Sequence, residues 1–252
     1  MTKVALITGS SGGIGSALVK VYSEAGFFVI GLDKIQNDNH NDDSDYSYIN
    51  IDLLDFAKNK NYREEKVKEI VGIFPATIGE FVLVNNAAEQ IIKPLSEISW
   101  NDWEMSLAVN TVAPFFFAQS FREHLSVSHG HVINITSIHA KLTKSNFTCY
   151  ATSKAALEAV TRSLALELSP IGVSVNAVAP AAISTKMLKS GFNDVPEKYR
   201  ELNDYHPSKS IGSPEDVAVF VKSISDHRSG FLTGSVLEFN GGIGGKLHDP
   251  DS

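Results

Sequence analysis

An apolar run, Val4-Ala5-Leu6-Ile7-Thr8, passes without a spacer into Gly9-Ser10-Ser11-Gly12-Gly13-Ile14-Gly15, and an apolar-periodic stretch follows over residues 14–25. Buried strand, glycine turn and amphipathic helix in that order open a parallel α/β unit. Gly9 permits the tight turn, Gly13 lets backbone approach a pyrophosphate, and Gly15 lets helix and strand pack closely. The helix N-terminus adds free N–H groups and a positive dipole end, so phosphate is the ligand this segment suits. A plain connecting loop is the competing reading. A second cluster, Gly241-Gly242-Ile243-Gly244-Gly245, has no helical pattern behind it and carries no such expectation.

Phe27-Phe28-Val29-Ile30-Gly31-Leu32 reads as the next buried strand, and Asp33 stands at its end, eighteen residues past Gly15. A carboxylate there accepts from both ribose hydroxyls of an adenosine and repels a 2′-phosphate. No Arg or Lys lies inside the glycine loop to offset that repulsion, and the Lys34 side chain should leave the strand in the opposite direction. NAD(H) is therefore favoured over NADP(H). Service as a helix cap is the other use for Asp33, but little helical pattern follows it.

Tyr150 and Lys154 lie four residues apart, on one face of a helix, and Ser137 stands thirteen residues before the tyrosine at the end of the apolar run His131-Val132-Ile133-Asn134-Ile135. An ammonium beside the phenol favours the phenolate, whose ordinary pKa of ~10 is too high for a base at neutral pH. Together the three groups form a proton-transfer apparatus for an alcohol or a ketone. Spacing alone is weak, since Tyr62/Lys66 and Tyr205/Lys209 repeat it. Those copies have Ile49 and Phe192 where a hydroxyl is needed.

With 252 residues and 43% hydrophobic content, the chain can bury a sizeable core as one domain, 1–252. Strand-like runs at Val4, Phe27, Tyr46, Phe81, His131, Val173 and Ser235 alternate with helical patterns near Ile14, Asp55, Asn101, Tyr150 and Pro214. That alternation predicts an α/β fold: a doubly wound parallel sheet of about seven strands with helices on both faces. A net charge of −7 argues against a nucleic-acid partner. No apolar run is long enough for a membrane span or a signal peptide, and the lone Cys149 cannot form an internal disulfide, which fits a cytoplasmic setting. Cys149 reads as small filler rather than a nucleophile. His129-x-His131 reads as a surface turn; no metal is expected.

These residues resemble the short-chain dehydrogenases/reductases, the subgroup with a Thr-Gly-x-x-x-Gly-x-Gly loop, over nearly the whole chain. Thr8, Gly9, Gly13 and Gly15 match that loop, and the resemblance makes Ser11 and Ile14 cofactor contacts as well. Asp52-Leu53 matches the pair beside the adenine, Asn85-Asn86-Ala87 ends the strand Phe81-Val82-Leu83-Val84, and Pro180, Ile183 and Thr185 match the segment around the carboxamide. By the same resemblance Tyr150 is the acid/base, Ser137 polarises the substrate oxygen, Lys154 also binds the nicotinamide ribose, and Asn110 holds a water in the proton relay. A homotetramer is implied, as is a lid over 186–210; residues 246–252 form a polar tail.

Ala88 and Ala181 replace glycines that the family usually has there, adding a methyl without removing a chemical group. The polar stretch 36–47 replaces a helix with a loop. Gln90 and His139 look like the substrate-binding Gln and His of D-3-hydroxybutyrate dehydrogenases, but Phe147 stands where those enzymes hold a carboxylate with lysine; Lys141 and Lys144 are the nearby substitutes. The substrate implied is a small polar secondary alcohol: a hydroxy acid, a sugar derivative or a cyclic diol. Phe115-Phe116-Phe117 suits either a buried subunit contact or plain core. Two other classes stay in view, an idle NAD-binding regulator and a structural subunit, neither of which needs Asn110, Ser137, Tyr150 and Lys154 together.

Overall fold

The computed structural model describes residues 1–36, 45–186, 188 and 196–246. The middle of the 36–47 stretch, part of the 186–210 segment and nearly all of the 246–252 tail lie outside the described residues. The chain runs β1 (Thr2–Thr8), α1 (Gly13–Glu24), β2 (Phe27–Asp33), β3 (Tyr46–Asn50), α2 (Leu53–Lys58), α3 (Lys60–Gly72) and β4 (Ile78–Asn85). It continues through α4 (Trp100–Leu107), α5 (Ala113–Ser120), α6 (Arg122–Val127), β5 (His131–Ile135) and α7 (Thr148–Leu168). β6 (Ser174–Pro180), α8 (Pro196–Tyr205), α9 (Pro214–Ser225) and β7 (Val236–Phe239) complete it.

All seven strands are parallel, in the order β3-β2-β1-β4-β5-β6-β7. Alternation of side chains sends Val4, Leu6, Leu83 and Val132 to one face, against α2, α5 and α7, and Ala5, Ile7, Val29 and Val82 to the other, against α1 and α9. Because both faces are covered, these strands read as unbroken apolar runs. Strand order reverses between β1 and β4, which opens a crevice at the carboxyl ends of the strands. Gly9, Asp33, Asn85 and Ser137 all stand at that edge.

Two of the helical patterns each resolve into more than one helix. The pattern near Asp55 splits at Asn59, whose Oδ1 accepts from the N–H groups of Asn61 and Tyr62 to start α3. The pattern near Asn101 breaks into α4, a π-helical turn at Ala108–Val112, α5 and α6. Pro114, near the start of α5, has no N–H to give the carbonyl of Asn110 four residues earlier.

The phenylalanine run serves two environments. Phe117 is fully buried and stacks on Phe56 at 4.1 Å between centroids, while Phe116 lies half-buried under the Arg63 guanidinium at 3.7 Å. The surface-turn reading of His129-x-His131 holds for His129 alone, which is exposed with φ of 47°. His131 is buried at the start of β5, because its alternation with Ile133 and Ile135 carries it into the sheet. No helix among the described residues is long and apolar enough to cross a membrane.

Phe117→Ala removes a fully buried ring stacked on two others, Phe56 and Phe121. The expected cost is about 3–5 kcal/mol, read as a lowered urea midpoint with an unchanged slope.

Candidate active site

The glycine turn is built as tightly as its composition implied. Gly9 has φ of 66°, and a Cβ there would stand 2.8 Å from Ala87 Cα. A Cβ on Gly15 would fall 1.9 Å from the carbonyl oxygen of Gly9, so α1 can approach β1 only through glycine. Thr8 Oγ1 accepts from the N–H groups of Asn86 and Ala87 at 3.0 and 3.1 Å, and Asn86 Nδ2 donates back to the carbonyls of Thr8 and Gly9. β1 and β4 are thereby joined at the crevice. Gly13 faces Thr185, whose methyl would stand 3.0 Å from a Cβ at that position. Ile183 bridges to Gly212, and Ala181 N–H donates to Phe239 O just beyond Pro180, which places that segment above the turn.

No side chain caps the N-terminus of α1, where Ile14 and Gly15 follow the exposed Gly12 and Gly13. An uncapped helix start behind a glycine cradle, open at the surface, fits the pyrophosphate of a dinucleotide. Asp33 extends the fit: its Oδ2 accepts from Ser11 N–H at 2.9 Å and its Oδ1 from Lys34 N–H at 2.7 Å, which fixes the carboxylate beside the loop. Asp52 caps α2 through the N–H groups of Leu54 and Asp55, Leu53 is buried behind it, and Lys34 Nζ lies 3.1 Å from Asp52 Oδ2. Lys34 thus does leave Asp33, and it crosses to a second carboxylate.

Ser137 follows β5 and caps the 3-10 turn Ile138–Ala140, accepting from His139 N–H at 3.2 Å. Tyr150 is the third residue of α7 and its hydroxyl is hydrogen-bonded to Ser137. Lys154, one turn on, is 1% exposed and donates from Nζ to Ile135 O at 2.7 Å. Its ammonium stands 5.7 Å from the centroid of the Tyr150 ring. Burial pushes the phenol up to about 12, against the lowering effect of the Ser137 hydrogen bond, and burial pulls Lys154 down to about 7. The depressed phenol anticipated from spacing is therefore absent from the protein alone: loss of hydration outweighs the neighbouring cation, which is directed at a carbonyl.

Asn110 occupies the π-helical turn and is saturated by hydrogen bonds. Its Nδ2 donates to Glu89 O at 2.8 Å and Ser153 Oγ at 2.9 Å, and its Oδ1 accepts from Glu89 N–H at 2.7 Å. Ser153, which the sequence reading passed over, also donates to Tyr150 O at 2.8 Å. Its only sequence signal is adjacency to Lys154. Gln90 follows the pinned Glu89 and is half-buried. His139 stacks on Phe147 with centroids 4.4 Å apart and presents its ring edgewise to Tyr150 at 5.9 Å. Burial, helped by the Lys144 charge, holds the imidazole down to about 4, so it is neutral at pH 7; Thr143 Oγ1 lies 3.1 Å from Nδ1.

Other positions are assigned elsewhere by the structure. Lys141 pairs with Glu238 at 2.6 Å, and the Lys144 ammonium lies 4.8 Å from the Phe147 centroid. Of the two repeated Tyr/Lys spacings, Tyr62 accepts from Asp52 N–H and Lys66 pairs with Glu69, while Lys209 donates to Asp204 O. Cys149 is buried and its thiol is raised by burial. No cluster of three metal-ligating side chains exists among the described residues.

A family model described as short chain dehydrogenase matches residues 3–196. A 3-oxoacyl-acyl-carrier-protein reductase of Aquifex aeolicus is 33% identical, over 96% of this chain and 97% of its own length. An NAD-dependent glycerol dehydrogenase of Listeria innocua is 29% identical, over 95% and 93%. Among solved structures, the ligand-free aldohexose dehydrogenase of Thermoplasma acidophilum superposes with a TM-score of 0.86 at 26% identity, covering 99% of this chain and 97% of that one.

The buried ammonium sets a pH test. Its folded pKa of about 7 lies below the unfolded value of ~10.4, so the unfolded chain binds more protons between those limits and stability rises with pH across them. Lys154→Met removes the burden. The variant should show a higher urea midpoint than wild type at pH 7, with the gap closing toward pH 10; a gap that widens with pH would refute the assignment.

Proposed function

The chain belongs to the short-chain dehydrogenase family, and from that premise we propose that it interconverts a polar secondary alcohol and its ketone with NAD(H). The observation that carries the reading is the Ser137–Tyr150 hydrogen bond beside the buried Lys154, at the sheet edge where the glycine cradle opens. A protein that merely held a nucleotide would have no use for a buried phenol set between Ser137 and Lys154.

The dinucleotide, when bound, supplies the carbon that accepts or returns hydride. Tyr150 Oη takes the substrate's hydroxyl proton during oxidation and gives it back during reduction. Ser137 donates to the substrate oxygen, and Lys154 places positive charge in a dry site where negative charge develops on the phenol. The Asn110 carbonyl, to which Pro114 cannot donate, accepts from a water leading away from Lys154. Gly9, Ser11, Gly13, Ile14 and Gly15 would hold the pyrophosphate, Asp33 the adenosine ribose, and Asp52 with Leu53 the adenine. Asn86, Ala87, Pro180, Ile183 and Thr185 would line the nicotinamide side, with Tyr150 and Lys154 reaching its ribose.

The fixed Asp33 carboxylate beside Ser11 supports NAD(H), and the Listeria relative is described as NAD-dependent. Gln90, His139 and Phe147 would face the substrate. We also infer a homotetramer working in a reducing cytoplasm. An apolar groove of about 300 Å³, lined by Trp100, Trp103, Leu107 and Val112 beside α2, supports burial against a second copy.

Tyr150→Phe should leave the NADH dissociation constant within about twofold while lowering turnover by roughly 10²–10⁴-fold. A panel of hydroxy acids, sugar derivatives and cyclic diols, followed by NADH absorbance, provides the rate; a variant that keeps most of the activity removes Tyr150 from its role. Sedimentation should give the mass of four chains, and a monomer at micromolar concentration would refute the assembly.

A further inference from the structure

Lys34 is the cation adjacent to Asp33 in the chain, and the structure sends its ammonium away. Nζ lies 3.1 Å from Asp52 Oδ2, while Asn50 Nδ2 donates to Lys34 O at 2.7 Å and the Tyr48 hydroxyl donates to Asp33 O at 2.8 Å, fixing the backbone from which Lys34 departs. Asp52 is an immobile anchor for it. Its Oδ1 accepts from Leu54 N–H, its own N–H donates to the Tyr62 hydroxyl, and it caps α2. Burial opposes its ionisation, but the Lys34 hydrogen bond and the capping N–H groups hold it below the usual carboxylate range. Among Asp33, Lys34 and Asp52 the charges sum to one negative, with the cation paired to Asp52.

We propose that Asp52 is a positioning residue for cofactor choice: by pairing with Lys34 it withholds the ammonium that follows Asp33 in the chain and could otherwise neutralise a phosphomonoester on the adenosine ribose. This rests on the NAD(H) reading and deepens it. Asp33 alone repels a second phosphate; Asp52 adds to that by disarming the residue next to it. With Asp52 neutral, the local charge falls to zero and Lys34 is released on a flexible stem able to follow a phosphate.

Asparagine at position 52 keeps an acceptor oxygen for Leu54 and Asp55 N–H, so Asp52→Asn preserves the helix start while deleting the charge. Dissociation constants for NADH and NADPH are measured by nucleotide fluorescence on wild type, Asp52→Asn, Lys34→Ala and the double variant, at low and high salt. Any lost contact to adenine affects both nucleotides equally and cancels in the ratio. The NADPH-to-NADH ratio of dissociation constants should fall about fivefold in Asp52→Asn, as befits an exposed ion pair, and return to the wild-type value in the double variant. Lys34→Ala alone should leave the ratio within about twofold, and the shift should shrink in high salt.

An unchanged ratio in Asp52→Asn, or a shift that survives in the double variant, would overturn the inference while leaving the NAD(H) reading intact. Wild-type preference for NADPH would overturn that reading and the inference with it, as would failure to bind either nucleotide.

Discussion

Helix α7 carries Tyr150, Ser153 and Lys154, and its seat on the sheet is fixed by buried hydrogen bonds. Asn85 Nδ2 donates to Asn134 Oδ1, Asn134 Nδ2 donates to Thr161 Oγ1, and Thr161 donates to Leu157 O, all at 2.8–2.9 Å. A second set, Asn110 to Ser153 and Thr111 to Ser153 O, ties the N-terminal half to the π-helical turn. Each donor left without its acceptor would cost about 1–3 kcal/mol, so a small rotation of α7 is strongly opposed. Lys154 lies between the two sets. Its Nζ meets Ile135 O because the helix has essentially one register available.

Much of this was legible in the chain because local chemistry dictated it. Strands covered on both faces leave continuous apolar runs, and a glycine turn that must pass 1.9 Å from a would-be Cβ leaves glycine at position 15. The Ser137, Tyr150 and Lys154 spacing survived into contact because the strand and helix that carry it are adjacent elements. What the sequence concealed depended on contacts between distant segments. Ser153 has meaning only beside Asn110, forty-three residues away. His131 was misread because a His-x-His pair looks polar whichever way its strand faces.

Electrostatics is the part that spacing misjudged most. Four residues along a helix place an ammonium near a phenol, and that suggests a depressed phenol, but distance is only one contribution. Both groups are buried, so each loses hydration, and burial drives them toward the neutral forms, Tyr150 upward and Lys154 downward. Their charged forms then depend on each other. A phenolate here requires a protonated Lys154, and any partner that adds polarity to the crevice eases both ionisations at once. The protein alone thus disfavours the phenolate and leaves Lys154 divided between its two forms near neutral pH.

The crevice mouth shows the same economy with charge. Lys141 is held by Glu238, Lys93 by Asp102 at 2.7 Å, and Lys144 is drawn over Phe147, so these three ammonium groups are engaged before any substrate arrives. A substrate carboxylate would have to compete for one of them, giving up a pair already formed. The His139–Phe147 stack stands edgewise to the phenol instead, a flat wall with an imidazole that stays neutral well below pH 7. Such a wall offers a hydrogen bond and dispersion contact without attracting an anion.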